Sequence, residues 1–511
     1  MIRLTDEAGA AHPMAGAAGT PLPPQPNKAA PLYQKRIKIY PKRVSGLFRN
    51  VKWVVMLITL GIYYITPWLR WDRGPSAPDQ AVLLDLPNRR FYIFFIEIWP
   101  QEIYYLTGLL ILSALALFLV TSLFGRVWCG YACPQTVWTD LFIWVERLVQ
   151  GDRNKRMRLD KAPWRLEKIA KKSITHGIWL VISVATGGAW VFYFADAPTL
   201  LSDLLQGDAP MAAYIAIAAL SFTTYSLGGL MREQVCTYMC PWPRIQGAMF
   251  DADTYLVSYK ADRGEPRGPH KQGESWEGRG DCIDCKACVT VCPVGIDIRD
   301  GPQLECIQCA LCVDACNEIM DRVDRPRGLI DYETLAMPQA RAEGRETRPK
   351  LLRGRTIIYG LSILLTMAIM AYGLLTRSDL DLSVQQDRNP LYVLLSDGGV
   401  RNGYQLKIIN KAHEERNFII AIKGLDGYEL SRPNHQGPVD VVSVGPDAQK
   451  TIRLYVALPK EGLNASRFRD GEAQIRIMLR QEDDQASGDL GDSARPVLAS
   501  QNIGFRTPPQ R

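Results

Sequence analysis

The chain has 511 residues, with 60 Lys and Arg against 53 Asp and Glu for a formal net charge of +7. That length excludes a single small domain, since a domain holds roughly 100–150 residues. At 47% hydrophobic and 22% charged, the composition also excludes a wholly disordered chain. The 12 cysteines all lie between Cys129 and Cys316, and the 12 tryptophans all precede residue 277, so the average hides unlike parts. Histidine bounds the metal chemistry. His12, His176, His270, His413 and His435 are the full set, only His176 borders a long apolar run, and no C-x-x-C-H sequence exists. A buried bis-histidine haem has no second ligand to draw on.

Residues 1–32 are rich in Ala, Pro and Gly and read as a disordered tail, without the basic start and apolar core of a signal peptide. Residues 33–250 read as a four-span membrane domain. A basic run from Lys35 to Lys52 precedes the first apolar stretch, about Trp53 to Leu69. Further stretches run about Ile103 to Phe124, Ile174 to Phe194 and Met211 to Leu230, and a fifth runs about Thr356 to Leu375. Each approaches the roughly 20 residues that a helix needs to cross a bilayer. The connection Arg147 to Lys172 is strongly basic, while Ala195 to Pro210 carries acids and no base. Short basic loops stay on the cytoplasmic side, so the amino terminus reads as cytoplasmic and the carboxyl terminus as periplasmic. The positive charge is then a topology signal, and nucleic acid is not an expected partner. Glu97 and Glu102 precede the second span. They are read as ordinary carboxylates at the outer interface, or one of them enters the membrane as a proton or quinol ligand.

Two C-x-x-x-C-P sequences follow spans two and four. The first supplies Cys129, Cys133 and Pro134, the second Cys236, Cys240 and Pro241. If each pair is helical, its sulfurs lie one turn apart, and two hairpins side by side would bring four thiols together. Such a set suits a soft metal ion or an iron–sulfur centre. Packing at helix ends is the plainer reading for one pair, and a weaker one for two matching pairs. Met239 and His176 are read as packing and surface residues.

Residues 251–350 hold two C-x2-C-x2-C-x3-C runs, the bacterial pattern for two [4Fe-4S] clusters. The first is Cys282, Cys285, Cys288 and Cys292; the second is Cys306, Cys309, Cys312 and Cys316. Each run gives three ligands to one cluster and its fourth to the other. One cluster therefore takes Cys282, Cys285, Cys288 and Cys316, the other Cys306, Cys309, Cys312 and Cys292. The link from Asp251 to Asp281 reads as a surface connection. No G-x-G-x-x-G follows a strand, so bound NAD(P)H or flavin is not expected, and the sequence does not name the electron donor. Residues 351–376 form the fifth span. From 377 to 511, Tyr404–Ile409, Asn417–Ile422, Thr451–Val456 and Ala473–Leu479 alternate with strand period. Arg401-Asn402-Gly403, Asp426-Gly427, Gly445-Pro446 and Asp470-Gly471 read as turns between them, giving an immunoglobulin-like β-sandwich. His413 and His435 read as surface residues.

The whole is a polytopic five-span α-helical membrane protein with an inserted two-cluster ferredoxin domain and a carboxyl-terminal β-sandwich. It resembles the cytochrome oxidase accessory family called CcoG, FixG or RdxA. The resemblance rests on Tyr40-Pro41-Lys42-Arg43-Val44-Ser45-Gly46, on the Trp128 to Trp138 and Glu233 to Arg244 segments around the cysteine pairs, on the dicluster block and on the late β-domain. It implies a bacterial inner-membrane cupric reductase that serves assembly of cbb3-type cytochrome oxidase. It also implies copper handling at Cys129, Cys133, Cys236 and Cys240. The implied partners are an oxidase subunit or copper-delivery proteins, besides membrane lipid and, as a candidate, a second copy of the chain. Three other readings stay open: a quinol-oxidising ferredoxin feeding a partner reductase, an assembly scaffold without catalysis, and a further iron–sulfur centre at the four membrane cysteines.

Overall fold

A computed structural model of the chain describes residues 38–508, apart from 76, 272, 346–349, 434–437, 464–467, 469–470 and 482–496. The amino-terminal tail, His12, His435 and Asp470 lie outside the described residues. Two compact units are present. One takes in the described residues up to Leu69 together with Val82–Ala368; the other takes in Arg70–Ala81 and the residues from Ile369 onward.

Five helices among the described residues are long and apolar enough to cross a membrane: Leu47–Trp68, Pro100–Phe124, Leu166–Val191, Met211–Met231 and Gly354–Leu375. The first begins six residues before the expected Trp53. Its first turns carry Arg49 and Lys52, which a hydrocarbon boundary would exclude. Both are buried instead against Asp140, with Arg49 Nη1 2.8 Å and Lys52 Nζ 4.0 Å from its carboxylate. The amino end of this helix is satisfied by another element. Asp314 accepts from the backbone N–H groups of Phe48 and Arg49, at 3.3 and 2.8 Å. A helix start leaves such donors unpaired, and a carboxylate there also faces the positive end of the helix dipole.

Before the second span the chain forms a small antiparallel sheet of β1 (Val82–Asp85), β2 (Arg90–Ile93) and β3 (Ile96–Ile98). Glu97 and Glu102 are 8% and 4% exposed, so the reading of exposed interfacial carboxylates does not hold. Glu102 accepts from the Trp99 backbone N–H at 3.1 Å and so caps the start of span two. The link from Asp251 to Asp281 is also more than a surface connection. It contains β4 (Tyr255–Tyr259), which pairs antiparallel with β5 (Ile330–Thr334), because Leu256 and Val257 are buried apolar residues. This two-stranded ribbon ties the start of the ferredoxin insert to its end.

The second unit holds two antiparallel sheets. Its strands are β6 (Leu380–Gln386), β7 (Val393–Leu394), β8 (Val400–Asn410), β9 (Arg416–Lys423), β10 (Glu429–Ser431), β11 (Val441–Val444), β12 (Ala448–Leu458), β13 (Glu472–Gln481) and β14 (Val497–Arg506). One sheet runs β10-β12-β8-β6 with β7 on β8, and the other runs β11-β9-β13-β14. Leu406, Ile408 and Leu454 from one sheet share a core with Phe418, Ile420 and Ile477 from the other. The alternating stretches expected as strands lie in β8, β9, β12 and β13. Arg401-Asn402-Gly403 is not a turn but part of β8. Asn402 is fully buried there, and its amide exchanges hydrogen bonds with the Arg506 backbone at 2.8 and 2.9 Å. A residue that usually marks a turn here bridges two sheets. His413 is exposed, with Nδ1 2.6 Å from the Asp447 carboxylate.

Candidate metal centres

Each cysteine pair is built by a break in a helix. Cys129 sits in the short helix Val127–Tyr131, and Cys133 turns extended (φ −60°, ψ 128°) before Pro134 opens the helix Pro134–Gln150. Cys236 sits in a π-helical turn, Val235–Met239, and Cys240 is extended (φ −80°, ψ 121°) before Pro241. A residue preceding proline is driven out of helical geometry. The helix expected across each pair therefore ends at its second cysteine. Met239 is exposed rather than packed.

The two hairpins meet through the helix Pro134–Gln150. Gln135 Nε2 donates to the carbonyls of Leu227 and Arg232, at 2.8 and 3.1 Å. Glu146 accepts from Arg232 at 2.6 and 3.2 Å and from Arg156 at 2.9 Å. Gln246, just beyond the second pair, accepts from the Cys129 thiol at 3.2 Å and donates to Thr121 at 3.1 Å. The four thiols are consequently near enough for their charges to be felt by one another, with no three of their sulfurs within 4.8 Å of one another. Burial pushes the Cys129 thiol up to about 11 and the Cys236 thiol up to about 12, and the other thiols of the set push both the same way. A soft metal has to displace those protons to bind.

In the ferredoxin insert the cysteines gather in two groups. Cys282, Cys285, Cys288 and Cys316 line one cavity. Cys292, Cys306, Cys309 and Cys312 line another, which Cys288 also borders. The two loops share a backbone pattern. Asp284 and Lys286 in the first, and Gln308 and Ala310 in the second, have φ between 53° and 57°. Four non-glycine residues in the left-handed region at matching positions are costly, and such strain is held at sites whose surroundings demand it. Here it curls each loop around its thiols. Burial pushes Cys288, Cys306 and Cys316 up to about 12 and Cys292 to about 11.

The donor chemistry fits [4Fe-4S] clusters. All eight thiols are free. Among the described residues, no three cysteine sulfurs lie all within 4.8 Å of one another. A single tetrahedral ion, with metal–sulfur bonds of about 2.3 Å, draws its thiolates closer than that.

The first cysteine hairpin is seated on the second ferredoxin loop. A Cβ on Gly130 would stand 2.6 Å from the Ile307 carbonyl oxygen and 3.0 Å from Cys309 N and Cα. Tyr131 donates its hydroxyl to the Cys309 carbonyl at 3.1 Å, and Cys129 packs with Ile307 and Cys309. The second hairpin carries Thr237 where the first has Gly130. Its Cys236 borders a small cavity with Pro293, Val294 and Ile307. Buried Arg126 donates to the Leu304 carbonyl, and its charge favours the thiolates of Cys129, Cys236 and Cys306. The sequence reading missed Gly130, Tyr131, Arg126, Gln246 and Asp314. Gly130 alone carried a signal, as a glycine inside one motif and absent from its repeat.

Three curated relatives cover nearly the whole chain. Nitrogen fixation protein FixG of Rhizobium meliloti is 52% identical over 480 residues, covering 88% of this chain and 90% of the relative. Protein RdxB and protein RdxA of Cereibacter sphaeroides are 55% and 51% identical, covering 84% and 92% of this chain and 90% and 98% of theirs. The chain belongs to the FixG/RdxA/RdxB family. Family descriptions also match its parts: a 4Fe-4S dicluster domain over residues 231–335, a 4Fe-4S binding domain over 106–156, and the "IG-like fold at C-terminal of FixG, putative oxidoreductase" over 370–490. This member of the FixG/RdxA/RdxB family therefore joins membrane-length helices, iron–sulfur domains and an immunoglobulin-like domain.

Proposed function

We propose that the chain is a cupric reductase of the bacterial inner membrane, serving assembly of cbb3-type cytochrome oxidase. Cys129, Cys133, Cys236 and Cys240 receive Cu(II) as substrate and hold the Cu(I) product, since thiolates favour the soft monovalent ion. Cys282, Cys285, Cys288 and Cys316 hold one [4Fe-4S] cluster, and Cys292, Cys306, Cys309 and Cys312 the other. When bound, the clusters supply one-electron transfer toward the thiol site. The carrying observation is the seat of Gly130 on Ile307 and Cys309, which leaves no room for a side chain between the two groups of cysteines. Tyr131 fixes that seat, and Arg126 favours negative charge on both sides of it. The amino terminus and ferredoxin domain face the cytoplasm and the β-domain faces the periplasm, following the loop charges. An oxidase subunit or a copper-delivery protein takes the product.

The test is a full-length protein with Ala at the four membrane-face cysteines, purified anaerobically. It is expected to keep about eight iron per chain, as two clusters require, and to lose cluster reoxidation by Cu(II). Normal copper reduction by this variant refutes the reading. A wild-type iron content near about twelve, falling to about eight in the variant, shows instead that these thiols hold a further cluster.

One feature favours a second reading, quinol oxidation for a partner reductase. A cavity of about 310 Å³ is lined by His176, Trp179, Glu146 and Glu233, and His176 Nδ1 lies 2.7 Å from the Tyr225 hydroxyl. Reduction of the clusters by a short-chain quinol, with no dependence of turnover on copper, decides for it.

A further inference from the structure

A second cavity, of about 390 Å³, lies where the first span meets the end of the helix Pro134–Gln150. Three arginines border it: Arg43, Arg49 and Arg147. The nearby acids offset only part of that charge. Asp140 is shared by Arg49 and Lys52, and Asp152 accepts from the Arg43 backbone N–H at 3.0 Å. Arg49 is 5% exposed and turns only Nη1 to Asp140, at 3.0 and 2.8 Å; its Nη2 is buried with no hydrogen-bond partner. Arg147 reaches the Pro41 and Lys42 carbonyls through Nη2 at 3.3 Å each, and its Nε is buried without a partner. Burial, together with the charges of Arg49 and Arg156, pushes Arg147 down to about 10 against the pull of Asp140 and Asp152. Three guanidinium groups around one space repel. An anion in that space would relieve the repulsion.

The rest of the rim shows which anion. Trp53 and Trp144 stand edge to face at 6.3 Å, and the Arg49 guanidinium lies 4.3 Å over the Trp53 ring. Leu148 on the rim is 67% exposed, and Leu47 and Val54 on the first span are 70% and 55% exposed. Paired tryptophans beside exposed aliphatic residues at the end of a span mark the boundary between headgroups and acyl chains. Guanidinium forks match phosphate geometry. Basic pockets between spanning helices bind anionic headgroups.

We propose that this cavity binds the phosphate of an anionic phospholipid, with Arg43, Arg147 and Arg49 on the headgroup and the acyl chains leaving past Trp144 and Leu148. The lipid thereby braces Pro41 and Lys42, whose segment also meets the ferredoxin insert where Lys42 N donates to the Thr290 carbonyl at 2.8 Å.

The experiment uses the full-length, iron-loaded protein stripped of lipid in a neutral detergent. It is titrated with cardiolipin, phosphatidylglycerol, phosphatidylcholine or inorganic phosphate, with bound lipid counted by native mass spectrometry and unfolding followed by tryptophan fluorescence. Cardiolipin or phosphatidylglycerol is expected to bind at one site and raise the unfolding temperature, whereas phosphatidylcholine leaves it unchanged. Arg43→Gln with Arg147→Gln is expected to weaken that binding at least tenfold while iron content and the visible spectrum stay as in wild type. Arg147→Lys, which keeps the charge and loses the fork, gives an intermediate loss. Equal binding of phosphatidylcholine, an equal shift by inorganic phosphate alone, or full retention of cardiolipin by the double variant each overturns the proposal.

Discussion

Replacing Gly130 by Ala tests the contact between the cysteine hairpin and the ferredoxin loop. The added Cβ would meet the Ile307 carbonyl oxygen at 2.6 Å and Cys309 N and Cα at 3.0 Å. All three atoms are backbone, so no side chain can swing aside, and the groups have to part by several tenths of an ångström. Overpacking of this kind costs about 1–3 kcal/mol. The strain falls on Tyr131 and its buried hydrogen bond to the Cys309 carbonyl, at 3.1 Å. Gly188→Ala is the control, because a Cβ there has nothing within 4 Å, and Ala in a helix interior is favoured over Gly by about 0.5–1 kcal/mol. The assay is anaerobic stopped-flow. Protein reduced with dithionite is mixed with Cu(II), and cluster absorbance is followed, with iron content and thermal loss of the visible spectrum measured in parallel. Gly130→Ala should keep its iron, lose its spectrum at a lower temperature and reoxidise more slowly, while Gly188→Ala matches wild type. If Gly130→Ala matches wild type in both stability and rate, the seat is not what couples the two groups of cysteines.

Three further outcomes are expected. Asp140→Asn leaves Arg49 and Lys52 buried without their anion and should destabilise the protein by about 3–5 kcal/mol in chemical denaturation. Burial works to raise the Asp140 carboxyl, but Lys52 and Arg49 hold it below its usual 3.8, so this contribution is present at neutral pH and lost only as pH falls below about 4. Arg126→Gln removes a cation that faces thiols on both sides of the seat; the midpoint potential of the clusters should fall by roughly tens of millivolts in an EPR-monitored titration, and an unchanged potential would refute its electrostatic role. Cu(I) affinity, measured by competition with a chromogenic chelator, should rise with pH between about 6 and 9, since each thiol captured gives up one proton and Cys129 and Cys236 stay protonated to about 11 and 12; a flat profile argues against thiolate ligation.

The parts of this fold that rest on composition and short spacing were legible in the sequence. Five apolar runs became five membrane-length helices, and the alternating segments around Leu406, Ile420, Leu454 and Ile477 became β8, β9, β12 and β13. What failed did so where tertiary pairing overrides local preference. Arg49 and Lys52 look like a helix-excluding basic run until Asp140, some 90 residues on, is seen to accept them. Asn402-Gly403 reads as a turn, and it takes the Arg506 backbone and the Gln386 amide to explain a buried asparagine inside a strand. The break at each second cysteine was there to be read, because Pro134 and Pro241 forbid helix at the preceding residue. The gathering of the four thiols was not, since it depends on Gln135, Glu146 and Gln246 reaching across the fold.

The asymmetry between the two cysteine hairpins orders the site. Only the first can sit directly on the ferredoxin loop, because only it carries glycine after its leading cysteine; Thr237 in the second would bring a branched side chain to the same place. The buried thiol, Cys129, belongs to the seated hairpin, and the exposed one, Cys240, to the other. One end of the thiol set is therefore turned to the ferredoxin loop that holds Cys309, and the other end, at Cys240, is exposed. The insert is also tied to the first span. Asp314 caps the first span, and a Cβ on Gly46 would collide with its carboxylate, so the loop cannot lift away without uncapping a membrane helix. Two close approaches at glycine, Gly46 on Asp314 and Gly130 on Ile307 and Cys309, hold the insert against the first span and the first cysteine hairpin.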